Sequence, residues 1–219
     1  MSPDTATCAP KPILVPALSP SLCLAFANTR FWRGRETPTE TLQTSIDLLG
    51  WLETSAGIDA PELHQLAAFW SEEPQSAAQA IGRAIALREA LYGIFSALAA
   101  RQPQPPQDFT MLQDALASAP ARRRITTLAS GHAWEIAPLI PSAPPRVLIA
   151  HVLAPVLWSA GDLVVGGAHH RVRRCANDAC LWLFVDESKN ATRRWCDMAS
   201  CGNRAKARRH YLRAKGAAA

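Results

Sequence analysis

Four cysteines near the C-terminus carry the clearest chemistry in this sequence. Four residues separate Cys175 from Cys180, four separate Cys196 from Cys201, and fifteen lie between the two pairs. Two pairs at equal spacing across a short polar segment form the pattern of a four-thiolate zinc site. Each pair can wrap one edge of a tetrahedron through a tight turn, and the intervening loop brings the two edges together. Two disulfides, or buried inert thiols, are the alternative readings. Disulfides go with secretion, and the N-terminus, Met1-Ser2-Pro3-Asp4, shows no basic segment leading into an apolar run. Inert buried cysteines would not be expected as two matched pairs in so polar a segment. One zinc ion per chain is therefore expected, in a reducing compartment, and the expected location is the cytoplasm.

The segment after the last cysteine is basic. From residue 171 to 219 there are twelve Lys and Arg against four Asp and Glu, a net +8, whereas residues 1–170 carry eleven against fourteen, a net −3. A basic tail on an acidic body has the charge distribution of a nucleic-acid-binding protein. A helix over 202–215 would carry two basic stripes: Arg204, Arg208 and Lys215 form one, and Lys206, Arg209 and Arg213 the other. Ala205 with Leu212, and Ala207 with Tyr211 and Ala214, would fill the seams between them. With Arg193, Arg194 and Asn203 these are the candidate nucleic-acid contacts. DNA is the expected partner, and a zinc-stabilised scaffold that docks protein without touching nucleic acid is the alternative.

Cys201-Gly202-Asn203-Arg204, preceded by Arg193-Arg194-Trp195-Cys196, resembles the CGNR zinc finger. Arg174-Cys175-Ala176-Asn177-Asp178-Ala179-Cys180 and the aromatic run Trp182-Leu183-Phe184 are similar to the same family. In that family the finger follows an N-terminal ABATE domain associated with stress-induced regulation of transcription in bacteria. The remainder of this chain resembles that domain more loosely. The segment Leu22-Cys23-Leu24-Ala25-Phe26-Ala27-Asn28-Thr29 is similar to its opening motif, in which an aspartate usually precedes the Phe; Ala25 stands there in this chain. The resemblance implies a regulator, and regulators often need an input. Asn28, Thr29, Arg30, Trp32 and Arg33 supply the amide, hydroxyl, guanidinium and indole groups of a polar-ligand pocket. The competing reading has Asn28 and Thr29 turning the chain and Trp32 packed in the core.

The elements that must position these groups read as α+β: a mostly helical N-terminal domain with a small β-hairpin, then a treble-clef-like finger. Residues 1–20 hold prolines without a period and are expected to be irregular. Over residues 22–29, periodicity does not separate helix from strand. Thr44 or Ser45 can cap a helix carrying Ile46, Leu49 and Leu52, with Gly57 as its stop. Pro61 opens another, with Leu63, Leu66 and Trp70 on one face. The longest helix is expected over 75–101, with Ala78, Ile81, Ile85, Leu91, Phe95 and Leu98 as its stripe. Gly82 and Gly93 could permit close packing there, and Asp108 can cap the next helix.

Residues 122–136 then read as a hairpin about Ser130-Gly131. A helix over 145–165, kinked at Pro155, closes the body. Its uncharged run, 147–161, is shorter than the ~20 residues of a membrane span, so a buried helix is expected and no membrane partner. In the finger, residues 181–185 should pair antiparallel with 192–195, which delivers Cys196. The division expected is 1–20, 21–170 and 171–219, with the body as a sensing or dimerising unit that folds by itself. No Gly-rich phosphate loop, Gly-x-Ser-x-Gly or His-Glu-x-x-His is present, and no catalytic residue is expected. His151 reads as a core histidine, and His169 and His170 as bystanders to a ligand shell that four cysteines already fill.

Overall fold

In the computed structural model, residues 13–16, 19–58, 60–129 and 131–216 are described. The fold is mixed, mostly helical with small antiparallel sheets. Helix α1 (Leu22–Ala27) settles the short ambiguous segment. Leu22, Cys23, Leu24, Phe26 and Ala27 are all buried, so burial on several sides erased the periodicity. The helix packs on α4 (Pro74–Ala100) and α7 (Ala154–Val165). Ser159 of α7 ties it down: its Oγ accepts from Cys23 N at 3.1 Å and donates to Pro20 O at 3.1 Å.

Strands β2 (Arg30–Phe31) and β3 (Thr39–Glu40) form a short ladder, Arg30 opposite Glu40. Helix α2 (Ser45–Trp51) starts with a capping box, in which Thr44 Oγ1 accepts from Asp47 N and the Asp47 carboxylate accepts from Thr44 N. It ends through a π-helical turn, Leu52–Ala56, at Gly57 with φ 60°, where only a residue without Cβ avoids strain. Its buried face is Leu48, Leu49 and Leu52, whereas Ile46 is exposed. Helix α3 (Ala60–Glu72) buries Leu63, Leu66 and Trp70, the expected face.

Helix α4 buries Leu91 and Phe95 of the expected stripe and shifts the rest. Ala78 is exposed and Ile81, Ile85 and Leu98 are half-buried. The buried face is Ala80, Ala84, Leu87, Arg88, Leu91, Ile94 and Phe95. A hydrophobicity pattern misplaced it because an arginine lies on it. Arg88 is 1 % exposed. Its Nη1 and Nη2 reach Glu40 at 2.5 and 2.6 Å, and its Nε reaches Glu89 Oε1 at 2.9 Å. Glu89 also accepts a two-pronged contact from Arg33, at 2.6 and 3.1 Å. Such pairing is what allows a guanidinium to be buried.

Helix α5 (Pro106–Ser118) begins at Pro106, so Asp108 lies within its first turn and is not its cap. Of the two glycines in α4, Gly93 is where the helix meets a neighbour closely, a Cβ there standing 2.0 Å from Asp108 Oδ2, whereas Gly82 faces open space.

The hairpin β4 (Arg124–Leu128) and β5 (Gly131–Ile136) forms as expected, Leu128 opposite Gly131. The irregular reading of residues 1–20 is corrected over β1 (Ile13–Pro16), which pairs antiparallel with β5 from Ile13↔Ile136 to Pro16↔Ala133. Ile13 and Val15 point to the core as alternation dictates. Pro16 is tolerated because β1 lies at the sheet edge.

The closing helix breaks into α6 (Pro145–Val152) and α7, bent by 69°. Pro155 has no N–H for the carbonyl of His151, and its ring crowds that carbonyl. No single helix among the described residues is long and apolar enough to cross a membrane. His151 Nε2 lies 3.0 Å from Ala137 O, and burial lowers its pKa below the ordinary histidine value. It is half-buried, with this ring nitrogen satisfied by a backbone carbonyl.

The carboxyls of Glu40 and Glu89 lie below their usual range: burial opposes this, but hydrogen bonds and charge from Arg88 and Arg33 outweigh it. Removing Arg88 strands Glu40 and leaves Glu89 to Arg33 alone. We expect Arg88→Met to cost about 2–3 kcal/mol, under the ~3–5 of a fully buried pair because both carboxylates are a third exposed. The measurement is urea unfolding of the two chains. Folded pKa values lower than the unfolded ones mean stability that is present above the ordinary carboxylate range and lost as pH falls through the folded values. The wild type should therefore weaken in acid, and Arg88→Met should flatten that dependence.

Candidate metal centre

A second hairpin builds the centre. Strands β6 (Val172–Arg174) and β7 (Leu183–Val185) pair antiparallel, Arg174 opposite Leu183. The turn between them holds the first cysteine pair. Cys175 N donates to Trp182 O at 2.8 Å, closing the hairpin just below the turn. Asn177 shapes the turn: its carbonyl accepts from Cys180 N at 2.8 Å and its Oδ1 from Ala179 N at 3.1 Å. Leu181 leaves the turn with φ 58°.

In the second pair Cys196 precedes a π-helical turn, Met198–Gly202, and Cys201 lies within it; Asp197 caps the turn by accepting from Ser200 N at 2.7 Å. Helix α8 (Asn203–Gly216) follows directly. Its first side chain, Asn203, donates back to Ala199 O at 3.1 Å.

The expected pairing of 181–185 with 192–195 is corrected. The partner of β7 is β6, and residues 192–195 are irregular. Asp186 explains the return path. It is fully buried and accepts from Ser188 N, Ser188 Oγ and Arg193 N at 3.0, 2.5 and 2.8 Å. Burial opposes its ionisation, but these bonds hold its pKa below the usual carboxylate value. The loop therefore folds around a carboxylate, and a single bond from Ala176 N to Arg194 O, at 2.9 Å, joins the returning chain to the knuckle.

This path gathers Cys175, Cys180, Cys196 and Cys201 so that their sulfurs all lie within 4.8 Å of one another. Cys180 and Cys196 are 3.7 Å apart, Cys196 and Cys201 3.8 Å. A tetrahedron with Zn–S bonds of ~2.3 Å has edges of ~3.8 Å. All four are free thiols, which removes the disulfide reading. Burial, with repulsion from Cys175, pushes the Cys180 thiol up to about 12. Burial and the charges of Cys180 and Cys175 push Cys196 up too. Burial opposes ionisation of Cys201 as well, but hydrogen bonds from Asn177, at 3.4 Å, and from the other thiols lower its pKa. A divalent cation relieves this mutual repulsion. The four sulfurs suit one zinc ion, which would bind them as thiolates and lock the turn, the loop and the start of α8 together.

The body holds the finger through residues that sequence reasoning assigned to a ligand pocket or missed. Asn28 is buried and pairs with the β7 backbone, Nδ2 to Leu183 O at 2.8 Å and Leu183 N to Oδ1 at 3.0 Å. Thr29 Oγ1 donates to Phe26 O at 2.8 Å. Arg33 joins Glu89, donates to Ala27 O at 2.9 Å and stacks on Tyr92, 3.8 Å from its ring centre. Arg30 lies 3.8 Å from Glu89. Trp32, at φ 54°, packs beside the cysteine cluster, with Arg35 and Arg204 at 4.1 and 4.7 Å from its ring. Of the five residues read as a possible ligand pocket, Asn28, Thr29 and Arg33 have their polar groups taken up inside the protein, as the competing reading has it for Asn28 and Thr29.

Tyr92, which no sequence signal marked, donates from its hydroxyl to Leu181 O at 2.9 Å. Gly34 N donates to Ala179 O at 3.3 Å, and a Cβ there would fall 1.6 Å from Asp178 O. The sequence marked Gly34 as a turn; the close approach of the knuckle is what requires it.

Among the candidate nucleic-acid contacts, Arg204, Lys206, Arg208, Arg209 and Arg213 are exposed. Arg194 lies over Trp195, 5.5 Å from its ring centre. Arg193 donates from Nε to Trp195 O at 2.9 Å and from Nη2 to Cys196 O, and so braces the second cysteine pair. The side chains of Leu212, Ala214 and Lys215 lie outside the described residues. In the expected seams Ala207 and Tyr211 face solvent, and among the described side chains of α8 Ala205 alone is half-buried. Arg194, Arg204, Arg208 and Arg209 line a groove of about 320 Å3 between α8 and the knuckle, with Trp195 and Asp178. His169 Nδ1 lies 2.6 Å from Gly166 O, and the four sulfurs form the cluster without either histidine.

A four-cysteine finger seated on a helical body is a zinc-finger protein of two-part design. The family described as a putative stress-induced transcription regulator, ABATE, matches residues 21–167, and the CGNR zinc finger matches residues 171–214. The chain belongs to the ABATE family and carries a C-terminal CGNR zinc finger. A search of curated proteins finds no match to it.

Elemental analysis of the reduced protein should give about one zinc per chain, and Cys196→Ser should lose most of it. Gly34→Ala should keep the four ligands yet part the knuckle from the body, at a cost of about 1–3 kcal/mol for forced overlap. Faster zinc loss to a chelator, followed by absorbance, would register that parting.

Proposed function

We propose that this protein is a DNA-binding transcription regulator in which zinc fixes α8 as the contact element and the body serves sensing or dimerisation. The carrying observation is the surface of α8. Arg204, Lys206, Arg208, Arg209 and Arg213 are all exposed, and the sequence holds no acid from Met198 onward. The described side chains of α8 form no buried apolar face, and no acids balance their charge, which leaves that charge available to a polyanionic partner. A helix of this width fits the major groove, with guanidinium groups on phosphates or guanine edges. The groove beside Arg194, Arg204, Arg208 and Arg209 offers a position where phosphate would meet converging charge.

The order of knuckle, hairpin strand, loop and ligand-bearing turn before a helix supports a treble-clef-like finger. Family membership supports a stress-linked role in a bacterial cell, and thiolate zinc supports the reducing cytoplasm. The lack of paired nucleophile and base at the centre favours a non-enzymatic role.

Binding to a random duplex pool should fall steeply with salt, with a log–log slope of about −4 to −5 for four to six phosphate contacts. Arg208→Ala and Arg213→Ala, both clear of the zinc turn, should each reduce that slope by about one and leave zinc content unchanged. Fully zinc-loaded protein that ignores duplex at low salt would overturn the reading in favour of a protein-docking finger.

A further inference from the structure

We propose that the cleft between α4, α5 and α6 binds a small amphipathic carboxylate, a monoanion with an apolar body. The inference is independent of the DNA reading. The cleft encloses about 330 Å3, within the range of small-molecule sites. Its floor is apolar: Leu87 from α4, Met111 from α5 and Ile149 from α6. Leu87 and Ile149 are buried, while Met111 is 40 % exposed and offers apolar surface to a ligand in the cleft.

The rim carries Arg83 from α4 and Arg146 from α6, with Asp114 from α5 between them in sequence. Among the described residues neither arginine meets a carboxylate, whereas Arg33, Arg88 and Arg122 each do. Two unpaired guanidinium groups over an apolar floor complement a carboxylate head on a hydrocarbon body. Asp114 offsets one of the two charges, so the rim suits one negative charge better than two. Alcohols and amines of the same shape lack the group that the arginines would bind. The cleft also lies apart from the seam residues Asn28 to Arg33 and from the cysteine cluster. Its helix α4 nonetheless carries Arg88, Glu89 and Tyr92, which hold the finger's support in place.

The experiment is calorimetric titration of the zinc-loaded full chain with octanoate, 1-octanol and acetate. Octanoate should bind once per chain, and octanol and acetate at least tenfold more weakly. Arg83→Gln and Arg146→Gln should each weaken octanoate about tenfold and leave octanol unchanged, as expected for loss of a hydrogen bond to a charged group. Ala115→Trp, which fills the cleft, should abolish binding. The two arginine variants are exposed surface changes, so they decide the matter even if Ala115→Trp fails to fold. Absence of octanoate binding up to about 10 mM, equal affinity for octanol, or unchanged affinity in both arginine variants would overturn the proposal. So would a ligand-free dimer, seen by sedimentation, that Arg146→Gln dissociates, since that would assign the cleft to a second copy of the chain.

Discussion

The β6–β7 hairpin has to satisfy two cores at once. Side chains alternate across a strand, and here the alternation divides them between neighbours. Val172 and Leu183 enter the core of the helical body, while Phe184, with Cys175 and Cys180 at the adjoining turn, belongs to the cluster around the sulfurs. Asn28 reaches across from the end of α1 and bonds both polar backbone groups of Leu183, so the unpaired edge of β7 is closed by a side chain. The finger is thus continuous with the body at this hairpin, and Trp32 carries the contact on to Arg204 at the start of α8.

Charge follows the same division. On the side of the body that faces the finger, two arginines are drawn inward and matched: Arg88 with Glu40 and Glu89, Arg33 with Glu89 and the Tyr92 ring. Burying a guanidinium is costly unless it is paired and hydrogen-bonded, and this cluster meets that condition on the side of α4 that faces the finger. Beyond the last cysteine the arginines have no acids in their own segment and stand in solvent. The same residue type acts as an internal strut at Arg33 and Arg88 and as an outward charge along α8. Local partners decide which.

The zinc site depends on polar groups that do not touch the metal. Asn177 donates to Cys201 Sγ and shapes the first turn, Asp197 caps the second, and Asp186 folds the loop between them. Arg193 braces the carbonyls next to Cys196. Each fixes backbone before metal arrives, which lowers the entropy that binding must overcome.

The four ligands, the basic helix and most helix boundaries were legible in the sequence because each depends on near neighbours: equal cysteine spacing, absence of acids, and caps such as Thr44 and Gly57. Where long-range contacts decide, the sequence was silent or misleading. Ile13–Pro16 looked irregular because its strand partner lies more than a hundred residues away. The return strand at 192–195 looked plausible by proximity, yet β6 claimed β7 because Val172 and Leu183 bury together in the body. Arg88 could not be read as a core residue before Glu40 and Glu89 were placed beside it. Asn28 and Arg33 looked like ligand-binding groups, since the chemistry that would grip a polar ligand equally grips a neighbouring strand. Sequence determined which residues could bind metal and present charge; only tertiary structure decided which polar groups are satisfied internally, because that depends on what folding brings within hydrogen-bond reach.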